Sequence, residues 1–240
     1  MGLELFKYLC VMKTFQKIGH RGAKGLLAEN TLESIELALS FGVDAVEIDV
    51  HHCKSGELVV IHDFTLDRTT NGSGQISDYN LTELKEFLVE GKYKIPLLSE
   101  VLDLIKGKCR INIELKGAKT AERTCEIIKD YVENKGWTYS DFILSSFQIV
   151  ELYEVSKHNK KIPIGILNKS SITEAIELGN KLKAVAIHPS MEITSRENIK
   201  LSHDAGFKVN VWTVNDHKSI EKMKNFGVDG IISDFPDLLF

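Results

Sequence analysis

The chain has no CxxC pair, no excess of basic residues, no apolar run of membrane length and no glycine-rich dinucleotide fingerprint. Each absence excludes a class of function. The four cysteines, Cys10, Cys53, Cys109 and Cys125, lack the spacing of a zinc site or a disulfide framework and read as reduced thiols of a cytoplasmic protein. Thirty basic residues against 34 acidic ones leave a net charge of −4. A nucleic-acid binder usually carries a basic excess, so no nucleic-acid partner is expected, and recognition of an anion has to be local. Residues 1–11 are moderately apolar, but Glu4 and Lys7 interrupt them. They are too short to span a bilayer and lack the basic start and small-residue cleavage site of a secretory signal. Gly2 is present, yet Phe6 stands where a myristoylation signal needs Ser or Thr. A short docking helix is one explanation of this stretch. A natural start at Met12 is another. No integral membrane association is expected. Arginine is scarce, 5 residues against 25 lysines, a bias that genome composition produces as readily as heat adaptation.

What is present is ordinary globular material. The chain has 240 residues, 43% hydrophobic and 27% charged, enough for one domain over 1–240 with a full core. Its centre is the stretch from Val46 to Asp63. The first part reads as a strand, so Val46, Ile48 and Val50 share a buried face while Glu47 and Asp49 share the other. Two carboxylates about 7 Å apart on one face of a parallel sheet are costly out of water unless something positive lies between them. A divalent cation with oxygen ligands meets that need, and so does a Lys or Arg side chain.

Around this centre strands and helices alternate. Residues 17–22 form a short strand ending in a turn at His20-Arg21-Gly22. Asn30, with Glu33 three residues later, resembles a capping box, and Gly42 is the expected stop of the helix between them. Residues 64–94 break the rhythm. They are turn-rich at 69–74, and Leu81, Leu84 and Leu88 suggest one short helix. Strands are then expected at 110–115, 142–145, 162–166, 184–188, 208–212 and 230–233, each preceded by a helix. Eight strand candidates in a chain of this length predict an α/β fold, a (β/α)₈ TIM barrel, with a small insertion after the second strand at about 64–94. An open, doubly wound sheet is weakened by the missing fingerprint after the first strand. Residues 42–49 and 227–234 also echo each other, as two units under one constraint would.

Barrel enzymes work at the C-terminal ends of their strands. Here those ends carry His20 and Arg21, Glu47 and Asp49, His62, then Glu114 and Lys116, and later Ser145, His188 and Trp212. In the strand at 110–115, Ile111, Ile113 and Leu115 face one way and Asn112, Glu114 and Lys116 the other. A wholly polar inward face points to a ligand or ion. Three carboxylates from two strands then converge, which favours a hard cation, Mg²⁺, Mn²⁺ or Ca²⁺, over pairing with Lys116 and Arg21 alone. Arg21 and Lys116 can bind an anion, and two histidines can move protons near neutral pH. Together these groups suit phosphoryl transfer at a diester. His51, His52, His158, His203 and His217 read as surface or packing residues. His188 is intermediate, because it ends a strand but precedes Pro189.

Seven ordered motifs carry a resemblance. They are His20-Arg21-Gly22, Glu29-Asn30-Thr31, Glu47-Ile48-Asp49-Val50, His62-Asp63, Glu114-Leu115-Lys116, Val211-Trp212-Thr213-Val214-Asn215 and Gly227-Val228-Asp229-Gly230-Ile231. From about residue 17 to the C-terminus the chain resembles the glycerophosphodiester phosphodiesterase family. The resemblance implies a TIM barrel with an insertion after the second strand. It implies Glu47, Asp49 and Glu114 as metal ligands, His20 and His62 as the acid–base pair, and Arg21 and Lys116 as phosphate contacts. Trp212 matches a pocket aromatic that packs on the glycerol carbons, and it reads equally as a core residue at the barrel mouth. The departures, Cys53-Lys54-Ser55-Gly56 for Thr-x-Asp-Gly and Ser233-Asp234 for Thr-Asp, are expected to lie away from the catalytic set.

The implied activity is metal-dependent hydrolysis of a small glycerophosphodiester to sn-glycerol 3-phosphate and an alcohol. The rivals are a lysophospholipase D-type lipid phosphodiesterase, which needs an apolar groove at the mouth, and a non-catalytic phosphate- or polyol-binding protein. Head-group preference, the ion and the oligomeric state are not readable from the sequence.

Overall fold

The protein is described from a computed structural model over residues 15–240. The expectations for residues 1–11 and for Met12 lie outside the described residues. In chain order the elements are β1 (Gln16–His20), α1 (Leu32–Phe41), β2 (Ala45–His52), β3 (Leu58–Val60), α2 (Leu81–Leu84), β4 (Leu88–Val89), β5 (Tyr93–Lys94), α3 (Leu98–Ile105) and β6 (Arg110–Leu115). They continue as α4 (Thr120–Asn134), β7 (Phe142–Ser146), α5 (Ile149–His158), β8 (Ile164–Asn168), α6 (Ile172–Leu182), β9 (Ala186–Pro189), α7 (Arg196–Asp204), β10 (Lys208–Val211), α8 (His217–Phe226) and β11 (Gly230–Ser233).

Eight strands pair in parallel in the order β1-β11-β10-β9-β8-β7-β6-β2, and β1 pairs with β2 to close the ring. This is the (β/α)₈ TIM barrel. β3 is not a barrel strand. It runs antiparallel on the extended end of β2, with Val60 opposite Val50.

Closure follows from the alternation along each strand. Val46, Ile48 and Val50 of β2, and Ile111, Ile113 and Leu115 of β6, are fully buried against Ile35 and Ala38 of α1 and Leu98 and Leu102 of α3. Each such aliphatic side chain contributes roughly 1.5–3 kcal/mol when taken from water. The alternate residues, Glu47, Asp49, Asn112 and Glu114, turn to the barrel interior and are buried too. The interior is therefore polar at these positions, and Ile18, Ala45 and Ile232 form a small apolar cluster with Trp212 packed on it.

The segment between β3 and α3 has its own small core, in which Leu66, Ile76, Leu84, Val89 and Ile95 pack with Val59 and Ile61. Its helix, α2, is only four residues long, and Leu88 belongs to β4 instead. The echo between 42–49 and 227–234 has a physical reason. Gly42 and Gly227 both end a helix in the left-handed region, at φ 81° and 85°. Asp44 and Asp229 then both accept a hydrogen bond from a neighbouring strand's backbone, at Lys17 N (2.8 Å) and Val209 N (2.9 Å). No helix among the described residues is long and apolar enough to cross a membrane.

Candidate active site

A cleft of about 200 Å³ opens at the C-terminal ends of the strands. Its walls include His20, Arg21, Glu47, His62, Glu114, Lys116 and Trp212. Asp49 lies behind them, fully buried. All eight residues singled out from the sequence thus meet at one end of the barrel.

The turn after β1 is built for this. Arg21 sits in the left-handed region at φ 50°, a conformation that costs a non-glycine residue about 1 kcal/mol or more. It lets the Arg21 N–H donate to Oε2 of Glu47 at 3.0 Å. Gly22 follows at φ 84°, where a Cβ would come within 2.6 Å of Ser34, so α1 can press directly on the turn. Asn30 is also left-handed, at φ 59°. It is not the helix cap. Thr31 takes that place, accepting from Ser34 N at 3.1 Å, because the Asn30 side chain is committed to Asp49. Asn30 Nδ2 donates to Asp49 Oδ2 at 2.9 Å, and Asn30 Oδ1 accepts from Asp49 N at 3.3 Å.

Glu47, Asp49 and Glu114 each place an oxygen within 4.8 Å of the other two. Burial drives the Glu47 carboxyl well above the usual carboxylate range, and the charges of Asp49 and Glu114 add to it. Burial, then Asp49, pushes Glu114 up to about 7. Burial would raise Asp49 as well, but Arg21, His62 and Lys116 outweigh it and hold this carboxyl low. Asp49 Oδ1 has no hydrogen-bond partner although it is buried. Lys116 Nζ sits 3.0 Å from Glu114 Oε1 and 3.8 Å from Asp49 Oδ1, and Arg21 Nε is 3.2 Å from Asp49 Oδ2. The trio thus has more negative charge than its cations relieve. Its hard oxygen donors, one of them orphaned, fit a divalent ion.

Both histidines are held from behind. His20 Nδ1 is 2.5 Å from Asp234 Oδ1, which leaves Nε2 toward the cleft, 3.8 Å from Glu47 Oε2. Asn215 Nδ2 in turn donates to Asp234 Oδ2 at 2.8 Å. His62 Nδ1 is 2.5 Å from Asp63 Oδ1. Burial lowers both imidazoles below their usual value, more than the partner carboxylates raise them. The expectation that Ser233-Asp234 lies away from this set is corrected: β11 is the barrel neighbour of β1, and closure brings Asp234 onto His20.

A second layer links the parts. Arg68, from the segment after β3, donates through Nε and Nη2 to Asp63 at 2.5 and 3.0 Å. Its Nη2 and Nη1 also reach Glu29, at 2.6 and 3.1 Å. Glu29 accepts from Arg21 Nη1 at 2.8 Å. Burial opposes ionisation of Glu29, yet Arg68 and Arg21 bring its carboxyl down to about 2. Of these partners, Asp63 and Glu29 stood next to chemistry-bearing motifs in the sequence. Asp234 stood in the sequence only as half of the Ser233-Asp234 departure, and Arg68 carried no local signal.

The remaining candidates are packing groups or rim groups. His51 is buried and donates through Nε2 to the His62 carbonyl at 3.0 Å, a prop for the neighbouring turn. His188 is fully buried inside the barrel, where burial pushes its imidazole down to about 4. Trp212 donates from Nε1 to the His188 carbonyl at 2.8 Å and meets Phe147 edge to face at 5.6 Å.

The sequence profile of the glycerophosphoryl diester phosphodiesterase family matches residues 20–238. The chain belongs to this family. A glycerophosphodiester phosphodiesterase of Caldanaerobacter subterraneus is 35% identical, over 95% of this chain and 97% of its own. One of Bacillus altitudinis is 36% identical, over 91% and 94%. Among solved structures, a phosphodiesterase of Oleispira antarctica in complex with the product sn-glycerol 3-phosphate superposes with a TM-score of 0.85. It is 30% identical, covering 93% of this chain and 94% of that one. The family match begins at His20 and ends in the turn after Asp234, so it encloses both members of the contact that closes the cleft across the barrel seam.

Proposed function

We propose that this protein hydrolyses glycerophosphodiesters to sn-glycerol 3-phosphate and an alcohol. The observation that carries the reading is the pair of carboxylate-backed imidazoles, His20 and His62, placed over a buried trio of carboxylates. Membership of the family and the product named in the Oleispira antarctica complex support the substrate class.

A divalent cation held by Glu47, Asp49 and Glu114 would neutralise a phosphate oxygen and orient the glycerol hydroxyls. The chain's own groups do the rest. Arg21 and Lys116 offer the donors that bind and orient the remaining phosphate oxygens. Both imidazoles favour the neutral form when the cleft is free, so either Nε2 can take a proton from the attacking oxygen. The new bond forms from that oxygen to phosphorus as the bond to the leaving alcohol breaks. The other imidazole, protonated once the anionic substrate is beside it, delivers its proton to the departing alkoxide. Trp212 supplies an apolar face for the glycerol carbons. The attacking group is water or the substrate's own 2-hydroxyl, and trapping of a cyclic phosphate distinguishes the two.

Release of glycerol 3-phosphate from glycerophosphocholine and glycerophosphoethanolamine tests the reading. EDTA should abolish it, and Mg²⁺, Mn²⁺ or Ca²⁺ should restore it. Chelator-insensitive turnover would keep the reaction and remove the role given to the carboxylates. Binding of glycerol phosphate with no turnover under any ion would favour a binding protein.

A further inference from the structure

The end of the barrel opposite the cleft is not closed by packing. A barrel interior is ordinarily filled by layers of bulky branched side chains. Here Gly165 and Gly230 face the interior, where a Cβ would come within 2.8 Å of the His188 ring and 2.5 Å of Asn210 Oδ1. The two glycines make room for those polar side chains, and the small Ala45 and Ala186 leave the space beside them unfilled. The result is a second cavity, of about 250 Å³, that opens between the N-terminal ends of the strands. It shares one wall residue, Asn112, with the cleft.

Its chemistry changes from mouth to inner end. Arg110 and Lys208 stand at the mouth, both exposed. Gln16 steadies the guanidinium, its amide oxygen accepting from Arg110 Nη2 at 2.7 Å and Nη1 at 3.0 Å. The acids of the adjoining rim are committed elsewhere. Asp44 accepts from Lys17 N at 2.8 Å, and Asp229 from Val209 N at 2.9 Å with His203 Nε2 at 2.7 Å. The wall is apolar, with Ala45, Ile143 and Ala186 among its residues.

His188 and Asn210 form the inner end, 0% and 6% exposed. Asn210 Nδ2 lies 3.1 Å from His188 Nε2. Burial keeps the imidazole neutral, so with Nε2 accepting from the amide its proton is on Nδ1. Neither that Nδ1 nor Asn210 Oδ1 has a hydrogen-bond partner. The pair thus presents one unmet donor and one unmet acceptor. A hydroxyl group, which accepts and donates at one atom, meets both. Lys208 and Asn210 are two residues apart on β10, as Arg110 and Asn112 are on β6, so mouth and inner end are separated by about 7 Å.

We propose that this cavity binds a small monocarboxylate that carries a hydroxyl group at the far side of an apolar body the size of one ring. The carboxylate lies between Arg110 and Lys208, the ring against the alanines and Ile143, and the hydroxyl at His188 and Asn210. The volume fits, since an apolar cavity of roughly 150 Å³ takes a benzene ring and the remainder houses the two polar ends. The site is independent of the phosphodiesterase reading.

Calorimetric titration of the full chain with 4-hydroxybenzoate, benzoate and phenol tests it, with glycerol 3-phosphate saturating the cleft throughout. 4-Hydroxybenzoate should bind one to one, about tenfold or more tighter than either fragment. Arg110→Gln/Lys208→Gln, changed only at exposed positions, should weaken 4-hydroxybenzoate by about tenfold or more and leave phenol unmoved. It should hydrolyse glycerophosphocholine at the wild-type rate. Ala186→Leu, which fills the wall, should abolish binding of all three, and the mouth variant carries the test if that protein does not fold. No binding, equal binding of the three compounds, or binding unmoved by the mouth substitutions overturns the site. Equal binding would leave only a water at the inner pair. Binding seen only when glycerol 3-phosphate is omitted also overturns it, and would assign the carboxylate to Arg21 and Lys116 in the cleft.

Discussion

His20 and Asp234 lie 214 residues apart and meet at 2.5 Å across the seam where β1 pairs with β11. The contact fixes the ring. With Nδ1 turned to the carboxylate, Nε2 is the only nitrogen left to face the cleft, and an imidazolium formed there has a countercharge behind it. Asp234 is itself set by Asn215, whose amide donates to Oδ2 and whose carbonyl oxygen accepts from the Asp234 N–H at 2.9 Å.

Asp234→Asn should therefore lower kcat on glycerophosphocholine by about 10²-fold, less than the roughly 10²–10⁴-fold cost of His20→Ala or His62→Ala. An amide in this place can present its NH₂ to Nδ1, which moves the imidazole proton to Nε2, the nitrogen that has to accept one. The folded state should be intact by circular dichroism, because Asp234 is only partly buried and keeps its shape as Asn. Turnover within a few-fold of wild type would show that His20 does not act through Nε2.

Most of the barrel was legible because its two periodicities are strong. The alternation in β2 and β6 placed Glu47, Asp49 and Glu114 on the interior face without any knowledge of contacts. Asn30 misled because its spacing to Glu33 is that of a cap, while its real partner, Asp49, lies on another element. The partnership of Asp234 with His20 was hidden for a related reason. Only closure of the ring makes the last strand the neighbour of the first, and no local pattern in the chain encodes distance across a seam. Arg68 was hidden inside a turn-rich segment whose pattern shows little beyond its turns.

Arg68 ties His62 to Arg21 through Asp63 and Glu29, four hydrogen bonds from one guanidinium. Arg68→Met should raise KM and lower kcat together, by about tenfold or more in kcat/KM, because both the imidazole and the phosphate donor lose their support. Arg68→Lys should recover little, since a single ammonium cannot match the planar fork. Added guanidinium should restore part of the activity of Arg68→Ala. Absence of rescue, with a wild-type unfolding curve, would mean that the bridge does not position the site.

The carboxylate trio makes a prediction of opposite signs. Without an ion, Glu47→Gln should leave Tm unchanged or raise it, because burial and its neighbours already disfavour the Glu47 charge. With an ion, the wild type should gain about 2.7 kcal/mol at a hundredfold excess over the dissociation constant, and the variant should gain little. Thermal melts with and without Mn²⁺ read both effects in one series. An equal ion-dependent rise in the two proteins would place the ion elsewhere.

His188 gives the fold a pH dependence separate from catalysis. Its imidazole is fully buried behind Gly165, whose missing Cβ leaves the ring its space: a Cβ there would fall 2.8 Å from Nε2. The contact of Nε2 with the Asn210 amide, at 3.1 Å, requires an unprotonated nitrogen if the amide donates. Burial holds the folded value at about 4, against about 6.5 in the unfolded chain. Between those two values the unfolded state binds more protons, so stability is full above pH 6.5 and is lost as pH falls toward 4. From pH 7.5 to 5 the loss amounts to about 2 kcal/mol, or about 4–8 °C in Tm for a chain of this size. His188→Gln removes the titration and keeps a hydrogen-bonding group beside Asn210. It should lower Tm at neutral pH and also flatten the fall between pH 7.5 and 5 by that amount. Comparing the two slopes cancels every other titrating group, including the carboxylates of the cleft. Parallel slopes would mean that the buried ring does not set the acid limit of the fold.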